Sequence, residues 1–116
     1  MSSLKIYHNP RCSKSRKTLE LLLQHDKRPE VIKYLEAPPT VQELTYILDK
    51  LGMQPRELMR KNESEYKDNN MDNEKHTTSE LIQLMVAFPK VIERPIVLNG
   101  DKVAIGRPPE SVLDII

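Results

Sequence analysis

The sequence predicts an α/β domain built on a mixed sheet with helices on both faces. Short apolar segments of strand type alternate with longer segments of helical period, which favours layered α/β architecture. The last two strand segments flank Asn99–Gly100, a strong signal for an antiparallel hairpin turn. The chain has 116 residues, enough for one hydrophobic core, and shows no internal repeat or low-complexity linker. We therefore expect a single domain over residues 1–116.

The first three predicted elements are a strand, a helix and a second strand. Residues 4–7 alternate in strand fashion, and Asn9–Pro10 interrupts the pattern. A helix is predicted from residue 13 to about residue 24, because its leucines fall on one face. Residues 31–35 then form an apolar strand segment that ends before a Pro-Pro pair.

Two capping boxes predict the next long helices. Thr40 is followed three residues later by Glu43, and the helix that they open ends at Gly52, a favourable residue just after a helix. Thr77 and Glu80 repeat the hydroxyl-and-carboxylate pattern before another apolar segment.

The remaining segments have weaker patterns. Residues 55–60 begin with proline and predict a short helix. Residues 61–75 are charged and rich in asparagine, so we expect an exposed loop or a weakly packed helix. Strands are predicted at 96–98 and 102–105, and a last helix at 110–116.

Composition excludes several classes of protein. Lysine and arginine number 18 against 17 acidic residues, which gives no support to a nucleic-acid binder, and any anion recognition must be local. No apolar segment is long enough to span a membrane, and the N-terminus is not of signal-peptide type. A single cysteine cannot form an internal disulfide and fits a reducing cytoplasm.

Cys12 is the first candidate for chemistry. It lies in the polar segment 8–16, between Arg11 and Ser13, where the first helix is predicted to begin. A helix N-terminus with nearby cations stabilises a thiolate, and its free N–H groups bind anions. The alternative is a small buried hydrophobic cysteine, which its polar neighbours disfavour. The pattern predicts a nucleophilic thiol beside an oxyanion site.

The neighbours of Cys12 indicate how this thiol would work. Ser15 stands where a Cys-x-x-Cys motif needs its second cysteine, so an external thiol must resolve any adduct on Cys12. Ser15 also offers a hydroxyl, and Arg16 lies one helical turn beyond Cys12. His8 is expected to form a hydrogen bond within the loop or to raise the local positive potential; a purely structural role is the alternative.

Two Arg-Pro pairs are candidates for anion binding. Arg94 precedes Pro95 and Arg107 precedes Pro108, and a residue before proline favours extended backbone, which places both arginines at element boundaries. Guanidinium groups make planar contacts with oxyanions, although solubility alone is the alternative role. No dinucleotide glycine pattern, P-loop or zinc-ligand spacing is present, so no bound cofactor and no metal are predicted.

Four segments in order make the chain resemble the glutaredoxin-coupled arsenate reductase family. They are residues 8–16, Arg60 within 60–63, residues 93–97 and residues 106–110. The resemblance covers nearly the whole chain and implies a thioredoxin-like fold, which agrees with the strand and helix order above.

The resemblance also implies roles for individual residues. Cys12 corresponds to the nucleophile that forms a covalent adduct with arsenate, and His8 to the residue that assists its activation. Pro95 corresponds to the cis-proline packed near the thiol. The positions that bind the oxyanion and its intermediates correspond to Arg60, Arg94 and Arg107.

The expected partners follow from the same resemblance. Glutathione is the co-substrate that attacks the adduct, glutaredoxin supplies the next reducing equivalent, and arsenite is released. Two alternatives stay open. One is a regulator of the Spx type that binds RNA polymerase and uses Cys12 as a redox sensor, although many such regulators carry the Cys-x-x-Cys switch that Ser15 denies here. The other is a glutathione-dependent thiol reductase with another substrate.

Overall fold

The computed structural model describes residues 4–116, which divide into two compact units. The first unit contains residues 4–37 and 94–116, and the second contains residues 38–93. The predicted strand-helix-strand segment and the terminal hairpin both belong to the first unit. The single domain over residues 1–116 stays a prediction.

Four strands form a mixed sheet in the first unit, in the order β2-β1-β3-β4. The strands are β1 (Leu4–His8), β2 (Glu30–Lys33), β3 (Ile96–Asn99) and β4 (Lys102–Ile105). β1 pairs in parallel with β2 and antiparallel with β3, so that Ile6 lies between Val31 and Val97. β3 and β4 form the predicted antiparallel hairpin, with Gly100 at φ +64° in the turn. The mixed α/β sheet is therefore confirmed.

The second strand is shorter than the predicted 31–35. The carbonyl of Lys33 accepts the N–H groups of both Glu36 and Ala37, each at 2.9 Å. The chain therefore turns directly after Lys33, and Tyr34 is buried in this turn.

Helix α1 (Ser13–Gln24) has the predicted bounds and contributes to the core of the first unit. Leu22 is fully buried in one cluster with Ile6, Val97 and Val112. Val112 belongs to a 3₁₀ helix, Pro109–Ile115, where a helix over 110–116 was predicted. Its tighter winding begins with an i to i+3 bond, from the Ser111 N–H to the carbonyl of Pro108.

The second unit contains the two capped helices, both confirmed. Helix α2 (Val41–Leu51) begins with the complete capping box of Thr40 and ends at Gly52, at φ +66°. A short 3₁₀ helix, Pro55–Leu58, follows it. The structure of residues 61–75 includes helix α3 (Ser64–Asp68). Helix α4 (Thr78–Ala87) has the same capping box at Thr77, and a 3₁₀ turn, Pro89–Val91, follows.

Residues 61–75 are more firmly packed than their composition indicates. Tyr66 and Met71 are buried, Met71 completely. The Arg56 guanidinium donates hydrogen bonds to the carbonyl of Met71 at 3.0 Å and to that of Asn73 at 2.6 Å. Two apolar side chains and one arginine thus hold a segment that otherwise looks like an exposed loop.

Candidate active site

Cys12 is the N-cap residue of α1. Its backbone is extended, at φ −93° and ψ 122°, and its carbonyl accepts the Arg16 N–H at 3.0 Å as the first bond of the helix. Its own N–H donates to the carbonyl of Asn9 at 3.0 Å, which closes the loop between β1 and α1. The residue is only 9 % exposed. The helix N-terminus is thus as predicted, but the thiol is more buried than its polar neighbours suggest.

The surroundings of this helix end favour an anion. No acidic residue lies in the first turn of α1, and the Cys12 side chain makes no capping hydrogen bond. The leading N–H groups of any helix lack partners within the helix and carry partial positive charge. The residues of the first unit include 11 lysines and arginines against 7 acidic residues, although the whole chain is nearly neutral. Local anion recognition at this helix end stays a prediction.

A buried hydrogen-bond network orders the loop before Cys12. Ser15 is fully buried in the first turn of α1, and its Oγ lies 2.7 Å from His8 Nδ1. The same oxygen accepts the N–H of Asn9 at 3.0 Å. Ser15 donates its own hydrogen to Nδ1 in the tautomer of His8 that is protonated at Nε2. His8 therefore takes the first of the two predicted roles, a hydrogen bond within the loop.

The surroundings of His8 favour its uncharged form. Burial lowers the pKa of His8 below its ordinary value, and the positive charges of Lys33 and Arg16 lower it further. An uncharged imidazole does not raise the local positive potential, so that alternative is disfavoured. The part that His8 takes in activating Cys12 stays a prediction.

Two further contacts fix the loop. Arg16 Nη1 donates to the carbonyl of Pro10 at 2.9 Å, so this arginine holds the backbone in front of the thiol. The side-chain oxygen of Asn9 accepts the N–H of Arg11 at 3.0 Å. The sequence marked Asn9–Pro10 only as the interruption after the first strand and gave Asn9 no place in the candidate site.

Arg94 and Arg107 are brought together. Nε of Arg107 donates to the backbone carbonyl of Arg94 at 3.0 Å. Two guanidinium nitrogens of Arg94, Nε and Nη1, are buried. The Arg94–Pro95 and Arg107–Pro108 peptide bonds are both cis, the first as the resemblance implied. The two arginines that were singled out from their Arg-Pro pairs are thus in direct contact, side chain to backbone.

Gly106 connects this arginine pair to α1. Its N–H donates to the carbonyl of Pro95 at 2.9 Å. A Cβ atom on Gly106 would lie 2.5 Å from Thr18 Oγ1 and 2.7 Å from Pro95 Cγ, so only glycine fits. Thr18 lies in the helix that Cys12 begins. Gly106 lies in segment 106–110, which carried part of the family resemblance, but neither Gly106 nor Thr18 was assigned a role from the sequence.

Arg60 belongs to the second unit. Its Nη1 lies 3.2 Å from Glu63 Oε2 and its Nε lies 3.9 Å from Glu93 Oε1. Its backbone N–H donates to the carbonyl of Val91 at 2.6 Å. Its assignment to the oxyanion site stays a prediction from the resemblance.

Within residues 4–116, no group of three or more histidine, cysteine or acidic side chains is arranged to hold a metal ion. In the same part of the chain, no helix is long and apolar enough to cross a membrane.

The sheet order and the lone cysteine at the start of α1 are those of a thioredoxin-like protein. A model of the ArsC family matches residues 7–115, and the chain belongs to this family. The uncharacterized protein YfgD of Escherichia coli is 52 % identical over 97 % of this chain and 96 % of its own length. An arsenate reductase of Haemophilus influenzae is 47 % identical over 98 % of this chain and 99 % of its own.

A solved structure agrees with the same assignment. The arsenate reductase from Vibrio cholerae superposes with a TM-score of 0.94 at 46 % identity, over 97 % of each chain. The thioredoxin-like fold implied by the sequence resemblance is thereby confirmed.

Proposed function

We propose that this protein reduces arsenate to arsenite in the cytoplasm, through a covalent adduct on Cys12, with glutathione and glutaredoxin as reductants. The observation that carries the proposal is the position of the lone thiol at the uncapped end of α1, in the same compact unit as the Arg94–Arg107 pair. The names of the arsenate reductases described above support the choice of oxyanion.

The first step joins the Cys12 sulfur to arsenic. A thiolate and an oxyanion repel each other, so attack requires positive groups that hold the anion in place. The N–H groups at the start of α1 and the arginine side chains supply them, with Arg60 as the predicted third arginine. The S–As bond forms as an arsenate oxygen leaves as water, and arsenic stays in the +5 state.

External thiols then supply the two electrons. Glutathione bonds to arsenic through its sulfur, and a second oxygen leaves as water. A glutaredoxin thiolate attacks the glutathione sulfur; an S–S bond forms, the As–S bond to glutathione breaks, and its electron pair reduces arsenic to the +3 state. Water then cleaves the remaining S–As bond, which releases arsenite and restores Cys12. Ser15 in place of a second cysteine supports this external route.

The proposal is tested by arsenate-dependent oxidation of NADPH, coupled through glutathione, glutaredoxin and glutathione reductase. We expect turnover by the wild type, loss of turnover when glutathione or glutaredoxin is omitted, and loss in Cys12→Ser. The matched control is Ser13→Ala, which alters an exposed neighbour in the same helix turn. Absence of arsenate-dependent oxidation in the wild type would refute the proposal. Undiminished turnover without glutathione would refute its reductant.

A further inference from the structure

An open cleft of about 270 Å³ lies beside the loop that carries Cys12. Residues 8–11 form one wall, and Lys33, Leu35 and Glu36, at the end of β2 and just beyond it, form the other. Arg11 directly precedes Cys12, and His8 is hydrogen-bonded to the first turn of α1 through Ser15. The cleft is therefore adjacent to the nucleophile's loop, but nothing in the mechanism above uses it.

The walls of the cleft carry both signs of charge. Arg11 and Lys33 are cationic and exposed, and Glu36 is anionic and exposed. None of these three side chains takes part in an ion pair within residues 4–116. Leu35, which is 37 % exposed, adds an apolar surface between them. The positive charge of Lys33 reaches His8 strongly enough to lower the pKa of its imidazole.

Such a surface fits a small zwitterionic peptide that carries a thiol. The proposed reaction needs an external thiol to approach Cys12, and glutathione has two carboxylates, one ammonium group and a sulfur between them. We propose that this cleft binds glutathione, with Arg11 and Lys33 facing its carboxylates and Glu36 facing its ammonium group. This inference rests on the proposed function, since it supplies the binding site of that reaction's co-substrate.

The size and exposure of the cleft set the expected affinity. Pockets for small molecules usually enclose about 300–1,000 Å³, so this cleft of about 270 Å³ holds only part of a flexible tripeptide, and the proposal places the thiol end outside it, toward the loop of Cys12. Ion pairs in contact with solvent contribute little each. We therefore expect weak binding, with a Kd in the millimolar range, as suits a co-substrate that must leave after each turnover.

The test is a titration with S-methylglutathione, which cannot react, followed by the backbone amide signals in NMR spectra. In the wild type we expect the largest shifts at residues 8–11 and 33–36. Lys33→Glu should raise the Kd about tenfold. Lys102→Glu is the matched control, because Lys102 is an exposed lysine on the opposite edge strand, β4. The Kd of this variant for S-methylglutathione should equal that of the wild type.

A second variant guards against a folding defect. Glu36→Gln, which removes the negative charge without adding a cation, should weaken the binding of S-methylglutathione. It should leave unchanged the weaker binding of N-acetyl-S-methylcysteinylglycine, a dipeptide that lacks the γ-glutamyl group and has no ammonium group. Shifts located elsewhere, equal Kd values in Lys33→Glu and Lys102→Glu, or equal affinity for the tripeptide and the dipeptide would each overturn the assignment. Arsenate turnover is measured separately. NMR shifts at this cleft without arsenate turnover would reject the proposed function but support the cleft as a glutathione site. Arsenate turnover without shifts at the cleft would support the proposed function but reject the cleft as the glutathione site.

Discussion

Replacing Gly106 with alanine puts a methyl group into the contact that connects the arginine pair to α1. The new Cβ would lie 2.5 Å from Thr18 Oγ1, 2.7 Å from Pro95 Cγ and 3.0 Å from Thr18 Cγ2. Thr18 cannot easily rotate away, since it is fully buried and its hydroxyl donates to the carbonyl of Lys14 at 2.8 Å. Overpacking of this kind costs about 1–3 kcal/mol, and two rigid neighbours indicate the upper part of that range.

The activity effect of Gly106→Ala follows from its neighbours. Arg107 is next in the chain and its Nε donates to the backbone carbonyl of Arg94, so we expect displacement of residue 106 to shift the Arg107 guanidinium and its contact with Arg94. We expect the KM for arsenate to rise about tenfold, while the rate of Cys12 alkylation by iodoacetamide stays unchanged. Urea unfolding gives the stability, and the coupled NADPH assay gives the KM.

The matched control is Gly100→Ala, whose Cβ would meet nothing within 4 Å. Its cost of about 1–2 kcal/mol comes from the positive φ alone, and the KM for arsenate should not change. Adding Thr18→Ala to Gly106→Ala removes two of the three contacts, so the double variant should recover about 1 kcal/mol relative to additivity. Strict additivity, together with a wild-type KM in Gly106→Ala, would show that the contact between Gly106 and Thr18 does not support the arginine pair.

Three further perturbations test the site. Ser15→Ala leaves His8 Nδ1 and the Asn9 N–H without their shared partner, so it should lower the free energy of unfolding by about 2–4 kcal/mol in urea titrations. The exposed control Ser13→Ala should change the free energy of unfolding by less than about 0.5 kcal/mol. Equal losses in the two variants would contradict a stabilising role for the Ser15 hydrogen bonds. Because the pKa of His8 is lowered in the folded protein, the unfolded chain binds the proton more readily, so stability should fall as the pH drops below about 6.5. His8→Asn should remove the part of this pH dependence that comes from His8. Identical profiles of unfolding free energy against pH in the wild type and in His8→Asn would show that His8 does not contribute to it. Arg107→Lys removes the Nε donor to the Arg94 carbonyl and should raise the KM for arsenate about tenfold. Arg28→Lys, an exposed control in the same unit, should leave this KM unchanged. An unchanged KM in Arg107→Lys would show that this contact does not contribute to arsenate binding.

Local patterns predicted most of the fold. The capping boxes at Thr40 and Thr77 and the Asn99–Gly100 turn depend on neighbouring residues, and all three formed as expected. The packing of residues 61–75 depends instead on Arg56 reaching two carbonyl groups at positions 71 and 73. The hydrophobic periodicity of a segment cannot predict a hydrogen bond to a side chain outside that segment.

The site was predictable to a similar extent. The position of Cys12 at a helix start and the two Arg-Pro pairs could be read from adjacent residues. Other features depend on residues that are distant in the sequence and could not be predicted in this way. They are the burial of Cys12, the bond between Arg107 and the Arg94 carbonyl, and the close approach of Gly106 to Thr18. The charged cleft was missed for the same reason, because its two walls come from different strand ends.

The proposed reaction requires a bond between the Cys12 sulfur and arsenic. The most direct measurement is the arsenic retained by the protein after incubation with arsenate and glutathione, without glutaredoxin, and rapid gel filtration. We expect about one arsenic per chain in the wild type and in Ser13→Ala, and none in Cys12→Ser. Equal arsenic in the wild type and in Cys12→Ser, or none in the wild type, would contradict it.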